Sequence, residues 1–198
     1  DEKEAVRKIR TRHSNIGLGA GGLIISAQKG DKNAAGVFGL GRVNGYFFSA
    51  NDGTVSQGLF FFQCLVANSK EQNKLNFGYS AKGEAGIGFG TGPTGFNFML
   101  SPFILNGKFS YDPITGKKGQ AGLMSETGFY ASNGNVTGVA SVVGGADMQV
   151  FERYAVSGKI GGRLKLFVGD KFYLFGELNR VFTLNIIDPN RVISQVQS

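Results

Sequence analysis

Two stretches of this chain keep a strict period of two for fifteen residues each, over 75–89 and 154–168. In the first, one row is Leu75, Phe77, Tyr79, Ala81, Gly83, Ala85, Ile87 and Phe89. The opposite row is Asn76, Gly78, Ser80, Lys82, Glu84, Gly86 and Gly88. In the second, Tyr154, Val156, Gly158, Ile160, Gly162, Leu164, Leu166 and Val168 face away from Ala155, Ser157, Lys159, Gly161, Arg163 and Lys165. Arg153 stands just before that run. Alternate residues of a strand point to opposite faces, and a helix cannot sustain this pattern. Strands in soluble proteins average about five to six residues. A much longer strand, apolar on one face and small or charged on the other, narrows the choice of fold sharply.

The rest of the chain repeats the theme between turn signals. Asn51-Asp52-Gly53, Asn133-Gly134-Asn135 and Gly169-Asp170-Lys171 carry the residues that tight turns favour. Segments near 14–28, 34–50, 54–67, 74–90, 95–111, 120–132, 136–148, 150–168 and 171–187 read as strands. Residues 191–197 would supply a tenth. A long meander of this kind favours closure into a barrel. Glycine (32 of 198) and phenylalanine (18) are abundant, yet 41% of the chain is hydrophobic and no triplet period exists, so disorder and collagen are excluded. No run approaches 18 apolar residues, so a transmembrane helix is not expected. One cysteine and one histidine leave no internal disulfide and no zinc-type cluster.

A strand that crosses a bilayer needs about nine to eleven residues, and closure into a barrel pairs every backbone group. Its signature is apolar-out, small-or-polar-in alternation with aromatic girdles near both interfaces. Aromatics do collect near segment ends here, in Tyr46-Phe47-Phe48, Phe109 with Tyr111, Phe129-Tyr130 and Phe172-Tyr173. On these features residues 14–187 resemble bacterial outer-membrane β-barrel proteins of the small OmpA-type and porin-like class. The expected fold is therefore all-β: an antiparallel, up-and-down transmembrane β-barrel of about eight to ten strands, with a short N-terminal helix or arm. Residues 1–13, highly charged and without glycine, form that arm; 14–198 form the barrel domain. The resemblance implies residence in the outer membrane of a Gram-negative bacterium. A start at Asp1, with neither Met nor an apolar leader, fits a signal peptide already removed.

Some segments break the alternation. Residues 58–67 are apolar on both faces, with Phe60, Phe62, Cys64 and Val66 in one row and Leu59, Phe61, Leu65 and Ala67 in the other. Such a strand must be buried on both sides. A dry lumen, a plug or a subunit interface would serve, and Phe60, Phe61, Phe62 and Leu65 are the candidate interface residues. Phe96, Phe98 and Leu100 set against Met99, Phe103 and Leu105 repeat the ambiguity, with Pro102 predicting an edge, bulge or bend. Outward glycines such as Gly83, Gly158 and Gly162 would leave flat patches for a neighbouring copy.

The charge is basic, +7 overall with a pI near 9.6. Lys82, Glu84, Arg153, Lys159, Arg163 and Lys165 are the candidate lumen residues, facing an anion or lipid headgroups. Glu84, Glu126 and Glu177 are the expected internal partners, and Arg180 lies nearby. Leu75, Phe77, Tyr79, Ile87, Phe89, Val156, Ile160, Leu164 and Leu166 are the candidate lipid-facing or interface row. The basic residues form no patch interleaved with exposed aromatics, which argues against nucleic acid. His13 reads as a solvated surface residue, and the GxGxxG string at Gly17–Gly22 lacks a βαβ setting. No catalytic residue, metal or cofactor is expected. The functional expectation is a non-enzymatic outer-membrane barrel, structural or porin-like. It assembles laterally into a homo-oligomer that encloses lipid or forms a composite pore. The alternative is a soluble β-barrel around a hydrophobic ligand.

Overall fold

The computed structural model describes residues 10–24, 36–69, 74–112, 116–151 and 154–187. Among them there is no helix. Nine long strands follow one another: β1 (Thr11–Ile24), β2 (Gly36–Asn51), β3 (Thr54–Ser69), β4 (Lys74–Gly90), β5 (Gly95–Asp112), β6 (Gly116–Ser132), β7 (Val136–Val150), β8 (Tyr154–Val168) and β9 (Phe172–Ile187). They form one antiparallel sheet in the order β1 to β9, each strand paired with its sequence neighbours. The sheet is curled, and β1 and β9 are its two unpaired edges among the described residues. The expected 191–197 strand lies outside the described residues. So do residues 1–9 of the expected arm, while Thr11 to His13 belong to β1, so the sheet starts earlier than the pattern implied.

Four connections at one end of the sheet are short: Asp52-Gly53, residues 91–94, residues 133–135 and residues 169–171. Gly53 and Gly134 adopt φ of +80° and +87°, a region where a Cβ is strained, which explains the glycine in each turn. The other connections meet at the opposite end, called the loop end below.

The two faces differ in kind. Outward rows carry Leu18, Phe77, Ile87, Phe96, Leu105, Leu164 and Leu178, all more than half exposed. Inward rows carry Phe48, Met99, Tyr130, Glu126, Arg163 and Lys165, all buried. A bulge between Ser101 and Ile104, where Pro102 has no N–H to give the ladder, resolves the doubly apolar stretch of β5. The extra residue shifts the phase by one, so Phe103 and Leu105 rejoin Phe96, Phe98 and Leu100 on the outer face.

The aromatics expected in girdles divide between the faces. Tyr46, Phe48 and Tyr130 point inward and, with Phe167 and the partly buried Tyr173, make a stacked interior layer, with ring centroids 5.3 Å apart for Phe48–Phe167 and 4.5 Å for Tyr46–Tyr173. Phe62, Tyr79, Phe109 and Tyr111 stack on the outside near the loop end, and Phe96, Phe98 and Phe129 do so near the turn end. Adjacent residues at a strand end necessarily point to opposite faces, so a dipeptide of aromatics cannot be one girdle.

Glycine also serves the two faces differently. A Cβ at inward Gly88 would lie 2.1 Å from the Leu100 carbonyl oxygen, and one at Gly128 would lie 2.2 Å from that of Ala140. Tight curling brings neighbouring backbones together on the concave side and removes the space for a side chain. Outward Gly83 has nothing within 4 Å, whereas outward Gly158, expected to be bare, is covered by the Phe182 ring at 2.5 Å. Gly128→Ala is expected to cost about 1–3 kcal/mol through overpacking. Gly83→Ala should be neutral to within about 0.5 kcal/mol. Thermal unfolding of the two variants side by side checks this contrast.

Candidate functional site

The interior is built in layers along the strands, because each inward row contributes one side chain per level. At the turn end β1 closes the mouth. His13 is buried, its ring stacked 5.4 Å from Phe167, with Nδ1 2.9 Å from the Gly169 carbonyl oxygen and Nε2 2.7 Å from Thr137 Oγ1. Thr137, Ser132 and Thr11 continue this chain of contacts at 2.8 and 2.9 Å. The expectation of a solvated histidine is thus corrected: starting the strand at Thr11 carries the ring inside. Gly17–Gly22 lies within strand β1, where no nucleotide-binding turn exists.

Beyond the aromatic layer lies a layer of charge. Glu126 on β6 is fully buried and receives Lys165 Nζ at 2.8 Å, Gln57 Nε2 at 2.9 Å and the Ser141 hydroxyl. Lys165 also donates to Gln57 Oε1 at 2.6 Å. Arg163, two residues along β8, spans three carboxylates. It meets Glu177 at 2.6 Å, Glu84 at 2.8 Å and Glu126 at 3.6 Å, with its side chain 1% exposed. Lys82 pairs with Glu84 at 2.7 Å, and Lys159 with Glu177 at 2.9 Å. Glu84, Glu126 and Glu177 are therefore the partners the alternation pointed to. The guanidinium suits this role because its planar fork offers five donors at fixed angles. Phe175 backs it, 5.7 Å from the ring centroid.

Of the candidate lumen residues, Lys82, Glu84, Lys159, Arg163 and Lys165 come together in this network; Arg153 lies outside the described residues. Arg180 does not join them. Register places it opposite outward Ile160, on edge strand β9, and it is exposed. Gln57, Ser101 and Ser141 complete the network without having been singled out, since uncharged inward residues look like filler. Lys108 was passed over as well. It sits directly opposite Lys82 in the β4–β5 register.

On the outer row Phe77, Ile87, Phe89, Ile160 and Leu164 are exposed, while Tyr79, Val156 and Leu166 are half-buried. Leu75 is on β4, with its side chain outside the described set. Phe60 and Phe62 point outward, whereas Leu59 is buried in the interior and Phe61 half-buried. The packed interior thus takes up Leu59 without a second subunit. Leu65 has no described side chain. Cys64 is exposed on the outer row.

Two cavities bear on function. The interior one, between Gln57, Glu84, Arg163, Lys165, Phe167 and Tyr173, holds only about 20 Å³. The larger, about 650 Å³, is a depression in the outer face lined by Ile16, Phe47, Phe60, Gly83, Leu105 and Gly107; the Phe60 and Phe47 rings cover Gly45 and Gly58, and Gly83 and Gly107 are open. No group of three metal-ligating side chains occurs among the described residues. Comparison with protein families, curated proteins and solved structures finds no match to this chain.

Replacing Arg163 by Met would remove the one group that bridges Glu84, Glu126 and Glu177, leaving them to Lys82, Lys165 and Lys159 in a water-poor interior. Breaking a buried pair from one side costs about 3–5 kcal/mol. Arg163→Met should therefore lower the unfolding midpoint strongly, whereas Lys171→Met in the exposed turn should change it by less than about 0.5 kcal/mol. Chemical denaturation of both variants measures the difference.

Proposed function

We propose that this chain is a non-enzymatic β-barrel of the bacterial outer membrane. Its role is structural: it associates laterally with further copies of itself and organises lipid between them. The observation that carries this reading is the inversion of polarity across the sheet. The convex face presents Leu18, Phe77, Ile87, Phe96, Leu105 and Leu164 to the surroundings, while Arg163, Lys165 and Glu126 are buried inside. Soluble monomers rarely expose a contiguous apolar patch beyond a few hundred Å². In hydrocarbon the same arrangement is the favourable one. The stacked outer aromatics near both ends of the strands support it further.

The ion-pair layer argues against a pore through one copy, because it fills the interior from β3 and β4 across to β8 and β9. Any conduction belongs to a space enclosed between copies. The depression at Gly83 and Gly107 on the outer face supports close approach there, whether by a neighbouring wall or by an acyl chain. A soluble barrel around a hydrophobic ligand gains little support, since the interior cavity is too small for such a ligand.

Leu164 is exposed on the outer row of β8, four residues from the turn end, and an arginine there separates the readings. In a bilayer, Leu164→Arg should cost about 2–4 kcal/mol and reduce insertion into lipid vesicles. A chain that stays monodisperse without detergent and tolerates Leu164→Arg would refute the membrane reading. Native mass spectrometry of the detergent-extracted particle should find several copies with bound lipid, and a lipid-free monomer would refute lateral assembly.

A further inference from the structure

The charge inside the sheet does not balance toward the loop end. Lys82 and Lys108 occupy directly opposed inward positions on β4 and β5. Facing pairs have Cβ atoms about 4.5–5.5 Å apart, and like charges there are destabilising. Lys82 is held by Glu84, and Lys159 by Glu177. Lys108 has no carboxylate within ion-pair distance among the described residues. Lys82, Lys118 and Lys159 lie within electrostatic reach of it, as does the carboxylate of Glu177. Glu84 and Glu177 are both already engaged by Arg163. Asp147, a further inward carboxylate, forms no ion pair among the described residues. Among the described side chains at this end, Arg163, Lys82, Lys108, Lys118 and Lys159 outnumber Glu84, Glu177 and Asp147 by two.

A second, independent observation lies one row further along the strands. Ser80 is 3% exposed, and its hydroxyl has no hydrogen-bond partner. It sits opposite Ser110, which in turn faces Lys118. A buried, unused hydroxyl beside an uncompensated lysine is a costly combination unless something supplies acceptor oxygens.

We propose that this end of the interior is a binding site for a phosphate-class oxyanion, held by Lys82, Lys108, Lys118 and Lys159 with Ser80 as a neutral donor. A dianion matches the excess of two positive charges. The exposed Lys118 puts the entrance at the loop end, away from the Arg163 layer. This inference goes beyond the membrane reading and does not rest on it, because the site is on the inner face whatever covers the outer one.

The test uses the full chain, in detergent or, if it proves soluble, in buffer. Inorganic phosphate and a short-chain phosphatidic acid below its micelle concentration are titrated by calorimetry, against sodium chloride of matched ionic strength. Phosphate should bind and raise the unfolding midpoint where chloride does not, and Lys108→Met should weaken binding at least tenfold. Without phosphate, Lys108→Met should be no less stable than the parent, because a repulsion has been removed. Should that variant fail to fold, Lys118→Gln at the exposed mouth serves instead, with the same expected loss. Tighter binding of the phosphatidic acid would identify a lipid headgroup as the source, and equal binding a free phosphate. Absence of binding by both probes, or affinity unchanged in the lysine variants, would overturn the site.

Discussion

Everything inside this sheet depends on the need of Arg163 for company. A guanidinium removed from water is tolerable only when carboxylates meet it in good geometry. Its partners come from three different strands: Glu84 from β4, Glu126 from β6 and Glu177 from β9. Those strands cannot all reach one point in a flat sheet. The ion pairs therefore impose a curl, and the curl in turn brings the concave backbones together at Gly88 and Gly128, where no side chain fits. The charge layer and the glycine content are two consequences of one geometry.

The aromatic layer on the turn-end side plays a complementary part. Phe48, Phe167, Tyr46 and Tyr173 fill the space between His13 and the charged residues, and so keep water away from Lys165 and Glu126. That exclusion raises the cost of any missing partner and strengthens each pair that is made. Toward the loop end polar inward residues, among them Lys108, Ser80 and Gln63, take over from the aromatic layer, and this is where an external anion would find donors.

The strand pattern was highly legible. The span read near 74–90 is β4 (Lys74–Gly90), and the segment read near 95–111 is β5 (Gly95–Asp112). The acid partners of the inward row were legible as well, because alternation alone tells which charges share a face. Two things were not. A bulge changes phase by one residue, so Phe103 could not be assigned a face without the β5–β6 register. His13 sits in a charged leader, and only the contact with Phe167, over 150 residues away, reveals its burial. Arg180, by contrast, needed no register: it stands three residues after inward Glu177, on the even row of Leu174 and Leu178, so alternation alone places it outward, opposite Ile160. The misses at Phe103 and His13 turn on long-range pairings that local period cannot encode.

The odd number of strands among the described residues has a consequence of its own. Thr11 opens β1 beside the tight turns, and after nine crossings Ile187 ends β9 at the loop end. The first and last residues of the described sheet therefore stand at opposite poles. Set in a bilayer, a sheet of this topology is a sided object. His13 and its contacts mark one pole, and Lys108 and Lys118 lie toward the other. Whatever attaches at one pole is kept from the other by the full height of the wall.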